Sequence, residues 1–146
     1  MAAATFYLLD EIGDANLLQF ICQQVHHNFR KGSRVLVMAA DQSQAEALDE
    51  LLWQLPTDAF VPHNLSGEGG HGSPVELSWP GQSPRGPRPC VINLALQAPD
   101  IAARAQLVID IVPVAEDLRA QARERFKQYR QHGIQLHTEQ AVLAND

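Results

Sequence analysis

The sequence predicts an α/β domain, a mostly parallel sheet flanked by helices, and three observations carry that expectation. Short apolar runs rich in branched and aromatic residues alternate with longer runs of helical period. Two of the short runs, RVLVMAA at 34–40 and QLVIDIVP at 106–113, read as buried strands, the first of the continuous apolar type that cover on both faces produces. The chain of 146 residues, 45% hydrophobic and 19% charged, suits one domain, 1–146, with a core of its own.

Taken in order, TFYLLD at 5–10 reads as a strand from its aromatic and aliphatic content. From Ala15 to Lys31 the residues Leu17, Leu18, Ile21, Cys22, Val25 and Phe29 recur at spacings of three and four. That period predicts an amphipathic helix, capped by Asp14 or Asn16 and stopped at Gly32. RVLVMAA is the next strand. In DQSQAEALDELLWQLP, Asp41 or Ser43 caps a helix whose stripe is Ala45, Leu48, Leu51, Leu52 and Leu55, and Pro56 ends it. The passage from 56 to 74 shows no period and reads as irregular, VPHNL included. VELSW at 75–79 alternates as a strand does, and PGQSPRGPRP at 80–89 is a surface loop. CVINLAL at 90–96 and QLVIDIVP are strands, 115–131 is a charged amphipathic helix stopped at Gly133, and IQLHT at 134–138 is a last short strand.

Composition narrows the function. A net charge of −6 disfavours direct grip on a nucleic-acid backbone, which needs clustered Lys and Arg. No apolar run approaches the roughly 18–20 residues that cross a bilayer, so no membrane partner is expected. The start, MAAATFYLLDEIGD, lacks a basic segment and does not read as a signal peptide. Cys22 and Cys90 are far apart and form no metal or redox motif, which with the rest suggests a cytoplasmic chain with two buried thiols.

The run SGEGGHGSP contains G-x-G-x-x-G from Gly67 to Gly72, and a nucleotide-binding enzyme using this loop is the alternative reading. The fingerprint works by joining a buried strand to a helix N-terminus. Here the run leads through Pro74 into a strand, and no Lys follows Gly72. The acidic turn after the first strand, with Asp10, Glu11 and Asp14, repels phosphate and reads as a solvated loop. The six histidines lack metal-site spacing, and no G-x-S-x-G or paired Cys and His motif is present. No cofactor, no metal and no catalytic residue is therefore expected.

The last helix is more informative. EDLRAQARERFKQYR at 116–130 holds five bases, Arg119, Arg123, Arg125, Lys127 and Arg130, against three acids. At roughly 100° per residue, Leu118, Ala122 and Tyr129 share one face, read as the core face. Arg119, Arg123, Phe126 and Arg130 share another. An aromatic ring beside a row of guanidinium groups suits an acidic peptide with an apolar anchor; the competing reading is a solvated helix face. Trp53, off the apolar stripe of its helix, and Phe60 and Val61 just beyond it either join the core or mark an interface.

TFYLLD, RVLV, LDELLWQLPTDAFVPHNLSGEG, SPVELSWP, DIVP and ARERFKQYR, in this order over nearly the whole chain, resemble the chi subunit of bacterial DNA polymerase III holoenzyme. The resemblance implies a Rossmann-like α/β fold without a working nucleotide site, acting as a non-catalytic accessory of the clamp-loader complex. It implies two partners: the psi subunit, and the acidic, Phe-ended C-terminal tail of single-stranded DNA-binding protein. The tail site would fall on Arg119, Arg123 and Phe126 with Val112 lining the pocket, and the psi surface on Trp53, Phe60 and Val61. An accessory helicase is implied as a competing occupant of the psi surface in some bacteria. Arg119 and Phe126 stand where relatives can have Lys and Tyr, so charge and ring survive while a phenolic hydroxyl is lost.

Overall fold

In the computed structural model, residues 2–55, 60–68 and 72–144 are described. Seven strands form one sheet: β1 (Ala3–Leu8), β2 (Val35–Met38), β3 (His63–Leu65), β4 (Val75–Ser78), β5 (Cys90–Asn93), β6 (Leu107–Val112) and β7 (Gln135–Gln140). Their order is β3-β4-β2-β5-β6-β1-β7, and every pairing is parallel. The α-helices are α1 (Leu17–Arg30), α2 (Gln42–Gln54) and α3 (Glu116–Gln131).

The strand alternation sorts the core onto two faces. On one face Val35, Val37, Leu77 and Ile92 pack with Phe20, Ile21 and Val25 of α1 and Leu48 and Leu52 of α2. On the other, Phe6, Leu36, Val91 and Val108 pack with Tyr129 of α3. A parallel sheet needs such cover on both sides, which is why its central strands lack polar alternation. α1 and α3 end alike. At α3, Gly133 takes φ 76°, its N–H bonds to Arg130 O at 3.0 Å, and Ile134 N bonds to Tyr129 O at 3.1 Å. This paired closure satisfies the last carbonyls and turns Ile134 into the core. At the start of α2, Asp41 accepts from Gln44 N at 2.8 Å, making Asp41 rather than Ser43 the cap.

Two expectations change. The passage expected to be irregular contains β3, a three-residue edge strand too short to show a period of two. The connection from β3 to β4 is then strand to strand, and Gly67, at φ 91°, makes the turn that β3 leads into. Pro56, Gly69, Gly70 and His71 lie outside the described residues. The 80–89 loop is not wholly superficial either: Arg88 is buried, donates to Pro74 O at 2.7 Å and Ser73 O at 3.0 Å, and pairs with Glu76 at 3.2 Å. Glu76 also accepts from Ser66 Oγ at 2.6 Å, so one buried carboxylate fastens both loops beside β4.

Candidate functional site

α3 carries Glu116 and Asp117 in its first turn and Arg130 in its last, the arrangement that the helix dipole favours. Between α3 and the sheet lies a groove of about 490 Å³. Its sheet wall is Phe6 of β1, Val112 of β6 and Thr138 of β7; its helix wall includes Arg119, Arg123 and Phe126. The structure thus brings Val112, Arg119, Arg123 and Phe126 together in one concavity. Lys127 and Arg130 line it as well. The floor is aromatic: Phe126 meets Phe6 edge-on with centroids 5.2 Å apart, and the Arg130 guanidinium carbon lies 5.2 Å from the Phe126 centroid.

The cations around this floor are not equivalent. Arg119 donates to both Asp10 oxygens, at 3.0 and 3.4 Å, and to Pro113 O at 3.1 Å. The Asp10 hydrogen bond holds the Arg119 guanidinium above its ordinary pKa. Lys127 pairs with Glu124 at 3.3 Å, both well exposed. Among the described residues Arg123 and Arg130 have no carboxylate partner. An apolar floor with uncompensated guanidinium groups at its rim is chemically matched to a ligand that ends in an apolar side chain and a carboxylate.

Arg125, counted among the five bases of the helix, is not part of this surface. It is 4% exposed and lies against Asp110 of β6, which is fully buried. Arg125 Nε lies 3.1 Å from both Asp110 oxygens, and its remaining nitrogens donate to Leu96 O at 2.9 Å and Ile111 O at 3.2 Å. Asp110 also accepts from Tyr129 Oη at 2.9 Å, Asn93 Nδ2 at 3.3 Å and Ile111 N at 2.7 Å. Burial pushes the Asp110 carboxyl up, opposed by Arg125; burial and then Asp110 push the Tyr129 hydroxyl up. The signal was legible: one Asp inside an otherwise apolar strand, and one Arg three residues from Ala122 and four from Tyr129. Leu118, expected in the core, shares this stripe but lies in the first turn of α3 and is 38% exposed.

The second surface lies on the opposite face and toward the other edge of the sheet. Trp53 of α2 is 63% exposed and stacks on Phe60, 52% exposed, with centroids 4.9 Å apart. His63 of β3 closes the group edge-on, 5.3 Å from Trp53, between Val61 O at 2.7 Å and Asp49 Oδ1 at 3.1 Å. Val61 is a correction: it is fully buried in the core with α2, so its side chain is withheld from any partner.

At the carboxyl end of the sheet, where nucleotide sites of this architecture form, two carboxylates stand near helix starts. Asp14 does not cap α1, and neither does the side chain of Asn16, whose amide donates to Ile12 O at 2.7 Å. Asp14 instead accepts from Val114 N at 2.8 Å and Ala115 N at 3.1 Å, at the entrance to α3. Asp41 does the same for α2. No side chain caps the start of α1.

Comparison with known proteins gives a consistent result. Residues 1–137 match the family model described as DNA polymerase III chi subunit, HolC. The chain is 42% identical over 143 residues to DNA polymerase III subunit chi of Escherichia coli K12, covering 94% of this chain and 97% of that protein. It is 39% identical to the protein of the same name from Haemophilus influenzae, covering 93% and 95%. Against that of Pseudomonas aeruginosa it is 32% identical, covering 93% and 94%. The crystal structure of T4 UvsW shares the fold, with a TM-score of 0.61 at 12% identity; 97% of this chain superposes on 41% of that one.

Proposed function

Because this chain belongs to the chi subunit family of DNA polymerase III, we propose that it is a non-catalytic accessory subunit of the clamp-loader complex that joins the psi subunit to the acidic C-terminal tail of single-stranded DNA-binding protein during DNA replication. The observation that carries this reading is the pair of unlike surfaces on opposite faces of one sheet. The α3 groove has the chemistry of an acidic-peptide site: Phe126, Phe6 and Val112 receive a terminal phenyl ring, and Arg123 with Arg119 takes carboxylates. The Trp53/Phe60 stack has the chemistry of an interface hot spot, a large exposed aromatic area on a rigid helix end. It is the proposed psi surface, with an accessory helicase as a competing occupant.

Charge fits the same division of labour. A protein of net charge −6 has no need to hold DNA if it holds the acidic tail of a protein that does. The test is calorimetric titration of the chain with a short acidic peptide ending in Phe, at two salt concentrations. Binding is expected to weaken with salt and to require the terminal Phe. Arg123→Glu is expected to abolish it without changing the circular dichroism spectrum. Unchanged affinity in that variant removes the groove as the tail site.

A further inference from the structure

We propose that Asp10 is a built-in competitor for the ligand's carboxylates, holding Arg119 in reserve until a multiply acidic ligand displaces it. This rests on the reading of the α3 groove as an acidic-peptide site. Arg119 stands at the groove with both terminal nitrogens already engaged by one carboxylate, at 3.0 and 3.4 Å. Neither partner is loosely placed. Asp10 directly follows Leu9, whose N–H bonds to Val112 O at 3.0 Å, and Gly13 N closes the turn on Leu9 O at 2.7 Å. Arg119 is pinned from the other side by Pro113 O at 3.1 Å. The side chains are 26% and 41% exposed, so an incoming carboxylate reaches the pair from solvent.

The exchange has a chemical consequence. A ligand carboxylate that takes Arg119 replaces one ion pair with another, so the gain at this position is small, and Asp10 is left beside it as a like charge. A lone small anion gains too little to enter. A peptide that is already anchored on Phe126 and Arg123 brings a second carboxylate at high local concentration and completes the exchange. Asp10 therefore sets selectivity: it discriminates between a single acid and a run of acids with an apolar end.

The test compares variants by calorimetric titration with an acidic Phe-ended peptide and with the same peptide carrying a single carboxylate. Asp10→Asn removes the charge and keeps the volume. It is expected to bind the multiply acidic peptide roughly threefold to fivefold more tightly than the parent and to bind the singly charged peptide more tightly too. Arg119→Gln in the Asp10→Asn background is expected to erase the gain. Glu11→Gln removes the same charge one residue away and is expected to leave affinity unchanged. Asp10→Ala, expected to behave as Asp10→Asn, repeats the test without the amide. Weaker or unchanged binding in both Asp10 variants, or an equal gain in Glu11→Gln, overturns the competitor role while the groove stands. No binding by the parent chain overturns the peptide-site reading itself, and the competitor role with it.

Discussion

Phe60 and Val61 divide one dipeptide between solvent and core, and the difference is measurable. Val61→Ala deletes two buried methyl groups from the contact between α2 and the sheet. It is expected to lower the free energy of unfolding by about 2 kcal/mol in urea titrations. Phe60→Ala removes a half-exposed ring whose main contact is the Trp53 stack, and is expected to cost about 1 kcal/mol or less. On the proposed assignment of the Trp53/Phe60 surface, the second change is instead expected to weaken psi binding. Asp14 tethers the segment that enters α3 from a distant part of the chain, 100 residues before the amide of Val114. Asp14→Ala removes these hydrogen bonds and is expected to cost about 1 kcal/mol, read as a lower melting temperature.

At the scale of the element, α3 is positioned by chemistry on its hidden side and lines the groove on its open side. The Asp110–Arg125–Tyr129 network fixes the rotation and the axial register of the helix against β6. Rotation decides whether Phe126 faces Phe6, so the network also decides whether the groove exists. Asp110→Ala leaves a buried guanidinium without its charge partner. It is expected to destabilise the fold by about 3–5 kcal/mol in denaturant titrations and to weaken acidic-peptide binding through the helix. Tyr129→Phe keeps the ion pair and removes one hydrogen bond, with an expected cost of about 1–2 kcal/mol. A Tyr129→Phe loss as large as that of Asp110→Ala would contradict this division between charge and hydroxyl.

For the whole molecule, the buried thiols set an alkaline limit. Burial pushes Cys22 and Cys90 up to about 12 from 9.0. In the unfolded chain these thiols ionise near 9, while the native state keeps them protonated. Between those values the native state binds more protons, so stability falls as pH rises from about 9 toward 12 and is unaffected by these groups below 9. The expected slope is about 1.4 kcal/mol per thiol per pH unit, checked by denaturant titrations at pH 8, 9.5 and 10.5. Tyr7 and Tyr129, also pushed up by burial, steepen the fall above 10. Thiol reagents at pH 8 are expected to modify neither cysteine until the chain unfolds.

The sequence by itself determined the elements whose signal is local. β2 was readable from a continuous apolar run and β6 from one broken only by Asp110, the three helices from their period, and the ends of α1 and α3 from glycines past the last turn. The row of Arg119, Arg123 and Phe126 was readable for the same reason, since positions on one helix face are fixed by spacing alone. Tertiary structure decided whatever depends on residues far apart in the chain. β3 exists because β4 pairs with it, Asp14 serves α3 rather than α1 because β1 and β6 are neighbours, and Val61 is buried because α2 closes over it. Arg125 lies in the core because Asp110 is there to meet it, and Arg119 is occupied because the turn after β1 brings Asp10 to it. A helix period states which residues share a face; only the packed sheet supplies the carboxylates, carbonyls and rings that give each face its chemistry.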